Sequence, residues 1–185
     1  GSLNHGVSIL NMAAWHRNNG ETMMALATHS NLSPSSGHPI QLLGLSRLEV
    51  GRMMASLDDL STAMRHLWAA RSYLMESDMF PEALAASLIA LVESGQEVIT
   101  FEPYFDVYAA AIAMAGGRRR VVTLRTPDYS FDYEELKAQV NSNTRLILLN
   151  SPHNPTGKVF NRQELVQIAE LAVEEDLLVV TDEEY

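Results

Sequence analysis

The second half of the chain constrains the fold most, because from residue 82 to residue 181 short apolar runs alternate with amphipathic stretches. Periodicity predicts helix over Glu82–Glu93, strand over Glu97–Phe101, helix over Phe105–Ala115 and strand over Arg120–Leu124. Helix over Tyr133–Val140, strand over Arg145–Asn150, helix over Arg162–Glu175 and strand over Leu177–Thr181 follow. The helix after residue 160 is the best marked: Asn161 is placed to cap it, and Glu164 three positions on completes a capping box. Runs such as VITF, LILL and LLVV are apolar on both faces, as buried parallel strands flanked by helices are. The expected fold is α/β, a three-layer αβα arrangement with a mostly parallel sheet, preceded by a helical N-terminal segment.

Residues 1–80 have another character. They hold eight of the nine Met but four Val or Ile, against sixteen Val or Ile in residues 81–185. Charge divides as 5 − 6 = −1 and 8 − 17 = −9. A boundary is therefore placed at about 78–81, between an atypical helical segment (1–78) and a second domain (79–185). Ser30 to Pro39 reads as a loop of turn residues. After it, Ile40–Met54 reads as a helix weakened by Gly44 and Gly51. Leu57, Leu60, Met64, Leu67, Trp68, Leu74 and Met75 define an amphipathic helix with Ser56 as N-cap. Residues before the loop give little periodic signal. A methionine stripe at this spacing suits a core or a partner surface better than a cofactor site.

Several function classes are disfavoured. A net charge of −10 argues against nucleic acid or an anionic membrane as the main partner, and the absence of cysteine excludes disulfides, thiolate metal sites and cysteine nucleophiles. No apolar run approaches the roughly 20 residues of a membrane span. No basic region precedes an apolar run at the N-terminus, so no secretion signal is read and a cytoplasmic location is expected. No G-x-G-x-x-G follows a predicted strand, no Walker loop is present, and the six histidines show no zinc-ligand spacing.

Ligands of open α/β sheets sit beyond the carboxyl ends of the strands. Three of these ends carry unusual sequence: Phe101-Glu-Pro-Tyr-Phe-Asp106, Asn150-Ser-Pro-His-Asn-Pro-Thr-Gly157 and Thr181-Asp-Glu-Glu-Tyr185. Phe105 or Tyr104 offers a flat face for a heteroaromatic ring, Asn154 an amide, and Asp182 a carboxylate that favours a protonated ring nitrogen. Tyr185 lies within reach of a phenolic oxygen on such a ring. Taken singly, an Asn-Pro-Thr-Gly turn or an Asp at a strand end is ordinary; their joint placement after successive strands suits pyridoxal phosphate.

The segments EALAASLIALVESGQEVITFEPYFDVYAAAIAMAGG and SPHNPTGKVFNRQELVQIAELAVEEDLLVVTDEEY resemble the large domain of class I/II aminotransferases, the fold-type I pyridoxal-phosphate enzymes. The subgroup acting on kynurenine, glutamine, methionine or succinyl-diaminopimelate is the most similar. The resemblance runs from about Pro81 to Tyr185 and implies a partial fold-type I large domain. It also implies pyridoxal 5'-phosphate as cofactor, transamination between an amino acid and a 2-oxo acid, and a homodimer in the full-length enzyme. Residue by residue, it implies that Phe105 stacks on the ring, Asn154 bonds on the phenolic-oxygen side, Asp182 pairs with the pyridine nitrogen and Tyr185 binds the phenolic oxygen. His153 and Lys158 are expected to be structural, with Lys158 exposed.

The family's Schiff-base lysine lies downstream of the element ending at Tyr185, and neither Lys137 nor Lys158 fits its role. The expectation is therefore a chain that binds the cofactor weakly or not at all and has no turnover alone. Met79-Phe80-Pro81 also replaces the family's Gly-containing phosphate turn. The alternative is a non-catalytic interaction module, with the Met-rich helices of residues 40–77 as its partner surface.

Overall fold

The computed structural model describes residues 2–183, which form two compact units, one up to Leu91 and one from Val92 onward. This packing division falls one helix later than the change in composition near residue 80. The first unit contains α1 (Leu3–Asn18), α2 (Thr22–His29), a 3-10 turn (Pro34–Ser36), α3 (Ile40–Ser56), α4 (Leu60–Met75) and α5 (Phe80–Leu91). Ser2 caps α1, its side chain accepting from the His5 N–H. Two helices thus occupy the stretch whose periodicity is weak. The side of α1 that is buried carries Gly6, Ile9 and Ala13, while Leu3, Val7, Met12 and Trp15 are exposed. Small residues inside and large apolar ones outside erase the pattern that marks an amphipathic helix.

Ser56 is not the cap of α4. It ends α3, and the chain turns through Leu57 and Asp58 before Asp59 caps α4 by accepting from the Thr62 N–H at 3.1 Å. The two glycines of α3 are where α4 packs. A Cβ on Gly44 would lie 2.8 Å from Leu74 side-chain atoms, and one on Gly51 would lie 2.7 Å from Leu67. Gly44 and Gly51, like Leu67 and Leu74, are seven residues apart, so each helix presents a matching pair two turns apart. What these glycines cost in helix propensity is offset by close helix approach. Leu67 and Leu74 continue into a core with Leu48, Ala70 and, from α5, Ala83 and Ala86.

The second unit is a four-stranded sheet made of β1 (Glu97–Glu102), β2 (Arg118–Thr123), β3 (Thr144–Asn150) and β4 (Leu178–Asp182), with α6 (Val107–Met114), α7 (Tyr133–Gln139) and α8 (Arg162–Glu174) in the crossovers. The strand order is β2-β1-β3-β4 and all three pairings are parallel. The fold is the α/β class expected, with the predicted elements in the predicted order. Alternate residues Ile99, Phe101, Val122, Ile147 and Leu149 line one face and pack with Leu136 of α7 and Ile168 and Leu171 of α8. Val98, Leu146 and Leu148 are equally buried on the other. Asn161 and Glu164 form the expected capping box at the start of α8. Among the described residues no helix is long and apolar enough to cross a membrane.

The chain leaves β1 in one direction to build β2, then crosses to the other side of β1 to build β3 and β4. The reversal lies between β1 and β3. In open α/β sheets a crevice opens there at the carboxyl ends, because the two connecting loops diverge.

Candidate functional site

The site is built from the three loops at that rim. Phe105 lies in the short connection from β1 to α6 and is partly exposed. One turn further, Tyr108 of α6 is 2% exposed, and its ring meets Phe105 edge-on, with centroids 5.9 Å apart and planes at 88°. The Tyr108 hydroxyl donates to Asp182 Oδ2 at 2.5 Å. Phe105, at the end of β1, and Asp182, at the end of β4, are thereby fixed relative to one another through a single buried side chain. A hydrogen bond to a charged acceptor is shorter and stronger than a neutral one, and it engages one of the two carboxylate oxygens.

Asn150 performs the same service on the other side. It ends β3, is 2% exposed and is the register partner of Asp182. Its Nδ2 donates to the Asp182 carbonyl at 2.8 Å, and its Oδ1 accepts from the Asn154 N–H at 2.5 Å. Asn154 is held at the start of a tight turn closed by Gly157 N–H to the His153 carbonyl and His153 N–H to the Lys158 carbonyl, both 2.7 Å. Gly157 has φ of 71°, which an L side chain would adopt only with strain. Three expected residues, Phe105, Asn154 and Asp182, thus belong to one bonded network, with Tyr108 and Asn150 as its connectors. Tyr185 lies outside the described residues.

Lys158 differs from expectation. It is not exposed: its side chain is 7% exposed and forms an ion pair with Glu164 at 2.8 Å, with the ammonium 5.2 Å from the Phe160 ring centroid. The capping glutamate of α8 therefore has a second role, one oxygen accepting from the Asn161 N–H and the other meeting Lys158. Lys137 is exposed on α7.

His153 is buried beside Phe160 and shares a 2.8 Å hydrogen bond through Nδ1 with Thr156 Oγ1. Desolvation holds it below the ordinary histidine range, with the Lys158 charge adding to that and a backbone hydrogen bond at Phe101 opposing it. The folded chain then binds this proton less readily than the unfolded chain. Below about pH 6.5 the unfolded state carries more protons, so stability declines as pH falls and is indifferent to His153 above that window. Urea midpoints at pH 7.5 and 5.5 should therefore differ less in His153→Gln than in the parent chain. An equal difference in both would contradict the assignment.

The donor set suits the ring of pyridoxal phosphate. An aromatic face and a tethered carboxylate stand at one rim, as a planar ring with a basic nitrogen requires. A parallel α/β sheet with a topological switch point is the architecture in which such ligand sites occur. The family model "Aminotransferase class I and II" matches residues 62–185. The chain belongs to that family. A Mycobacterium tuberculosis protein named "Probable N-succinyldiaminopimelate aminotransferase DapC" is 47% identical over 107 residues, covering 56% of this chain and 27% of that protein. Escherichia coli methionine aminotransferase is 38% identical over 104 residues, with 56% and 27% covered. Among solved structures, YbdL of Escherichia coli, described with a methionine aminotransferase function, superposes with a TM-score of 0.55 at 38% identity, covering 57% of this chain and 28% of that one. N-succinyldiaminopimelate aminotransferase of Mycobacterium tuberculosis gives 0.53 at 45% identity, covering 55% and 27%. The chain spans about a quarter of the length of the curated relatives it matches.

Sequence reasoning missed Tyr108 and Asn150. The signal for Tyr108 is its spacing, three residues after Phe105, which puts both on one side of a helical turn. Asn150 is the polar residue that follows the apolar run Leu146–Leu149, where a buried amide needs partners.

Proposed function

We propose that this chain supplies the ring-binding side of a pyridoxal-phosphate-dependent aminotransferase that exchanges an amino group between an amino acid and a 2-oxo acid. The observation that carries the reading is the carboxylate of Asp182 linked through Tyr108 to Phe105 near the β1/β3 switch point. When bound, the cofactor supplies an electron sink for the electrons of a substrate Cα–H bond. Asp182 keeps the proton on the ring nitrogen, Phe105 sets the ring plane, and Asn154 and Tyr185 bond on the phenolic-oxygen side. The donors named for the relatives, methionine and N-succinyldiaminopimelate, indicate amino acids or amino-acid derivatives as the substrate class, and the working form is a homodimer.

The lysine that handles the Cα proton is neither of the two lysines here, since Lys158 is committed to Glu164 and Lys137 sits exposed on α7. Titration with pyridoxal phosphate, followed by absorbance, is expected to show weak binding that Asp182→Ala weakens at least about tenfold. Borohydride should fix no cofactor on a specific residue. Equal affinity of the variant, stoichiometric reduction onto Lys158, or turnover of an amino/keto-acid pair by this chain would each overturn the assignment.

A second reading, an interaction module, draws support from the outward stripe of Leu60, Trp68 and Met75 on α4, which are 63, 45 and 41% exposed. It requires self-association in the absence of cofactor, which light scattering reads directly.

A further inference from the structure

His5 and His38 are 33 residues apart in sequence, yet His5 Nδ1 and His38 Nε2 lie 3.2 Å apart. His5 is exposed in the first turn of α1, and His38 is partly exposed in the loop that leads into α3. We propose that the two imidazoles chelate a divalent late first-row transition ion, such as Zn²⁺ or Ni²⁺, and so tie α1 to the segment before α3. This lies in the part of the chain that the family model does not match.

The separation is the first argument. Metal–nitrogen bonds of about 2.0–2.1 Å at the tetrahedral angle place two ligand nitrogens about 3.3–3.4 Å apart, and at a right angle about 2.9 Å. The observed 3.2 Å lies between these values, so an ion is accommodated with little movement of either ring. The ring centroids are 5.3 Å apart and the ring planes meet at 30°.

Proton placement is the second. The Ser36 hydroxyl donates to the Ser33 carbonyl, so its oxygen is left to accept. His38 Nδ1 lies 2.6 Å from that oxygen and is therefore the N–H of the ring, which leaves Nε2 as the lone pair that points at His5. Fixing the tautomer through the far nitrogen is how metal-ligating histidines are oriented.

Gly6 is the third. It is buried, and a Cβ there would collide with Leu42 and stand 3.0 Å from His38 Cδ2. The absence of a side chain at Gly6 thus gives the Leu42 and His38 side chains room against α1, next to His5. Among the described residues no third His, Asp or Glu joins the pair, so water completes the coordination and imidazole softness selects Zn²⁺, Ni²⁺ or Cu²⁺ over Mg²⁺ or Ca²⁺.

Calorimetric titration of the metal-free chain with ZnCl2 and with NiCl2 tests this. One ion per chain is expected, with affinity at least about tenfold weaker in His5→Gln and in His38→Gln, and a melting temperature raised by the ion in the parent but not in those two variants. His16→Gln and His66→Gln should bind as the parent does, and circular dichroism without metal confirms that each variant is folded. Absence of binding, or binding retained in folded His5→Gln and His38→Gln, overturns the proposal.

Discussion

Replacing Glu164 by alanine is expected to destabilise the sheet unit by about 3–5 kcal/mol, because it leaves the Lys158 ammonium buried without a partner. Lys158 and Glu164 side chains are 7% and 11% exposed, so neither charge recovers bulk hydration when the other is removed. The same substitution removes the acceptor of the Asn161 N–H, one half of the capping box at the start of α8, which adds to the loss. The discriminating comparison is Lys158→Met combined with Glu164→Gln. The double variant keeps the cap and buries no charge, so its urea midpoint should lie much nearer the parent than that of Glu164→Ala. A double variant as unstable as the single one would show that the ion pair is not the source of the effect.

The second large effect is expected in the helical unit. Leu67→Ala should cost toward the upper end of the 2–5 kcal/mol typical of buried leucines. Leu67 is 2% exposed and sits over Gly51, which has no side chain to move into the vacated space. A cavity that cannot collapse keeps its full penalty. In the opposite direction, Gly51→Val forces a branched side chain against Leu67 and should cost about 1–3 kcal/mol. Pairing Leu67→Ala with Gly51→Val should restore part of both losses, and strictly additive chemical-denaturation free energies would refute a direct contact between the two positions.

The sheet unit was legible because its central strands β1 and β3 are buried on both faces and its helices carry ordinary boundary signals, such as Asn161 with Glu164, whereas the LLVV run, which reads as a buried strand, forms the edge strand β4 and is only partly buried. The order of βα elements follows from those patterns alone. The helical unit was legible only after residue 40, where leucines and methionines recur at helical spacing. In α1 the buried side is Gly6, Ile9 and Ala13, and a pattern made by small residues looks like no pattern. Ser56 and Asp59 are both good caps, and the choice between them fell to Asp59 because the chain continues α3 through Ser56 before turning.

The candidate site was legible as chemistry but not as connectivity. Phe105, Asn154 and Asp182 stand out because strand ends rarely carry such groups together. Tyr108 reads as one more apolar helix residue until its hydroxyl is seen on Asp182, a pairing that sequence separation hides. Lys158 illustrates the converse error. A lysine in a polar turn reads as solvated, and only the packed position of Phe160 beneath it and Glu164 beside it reveals a buried cation.

The Tyr108–Asp182 bond also bears on the order in which the molecule is made. Its partners are 74 residues apart, and closing a loop of that size costs about 4 kcal/mol of chain entropy by the (3/2)RT ln n rule. The Asp182 end of that bond is positioned by the pairing of β4 with β3. The tether thus depends on contacts from both β1 and β4, at opposite sides of the switch point. The rim that carries Phe105, Asn154 and Asp182 is therefore complete only once β1, β3 and β4 are paired in the sheet.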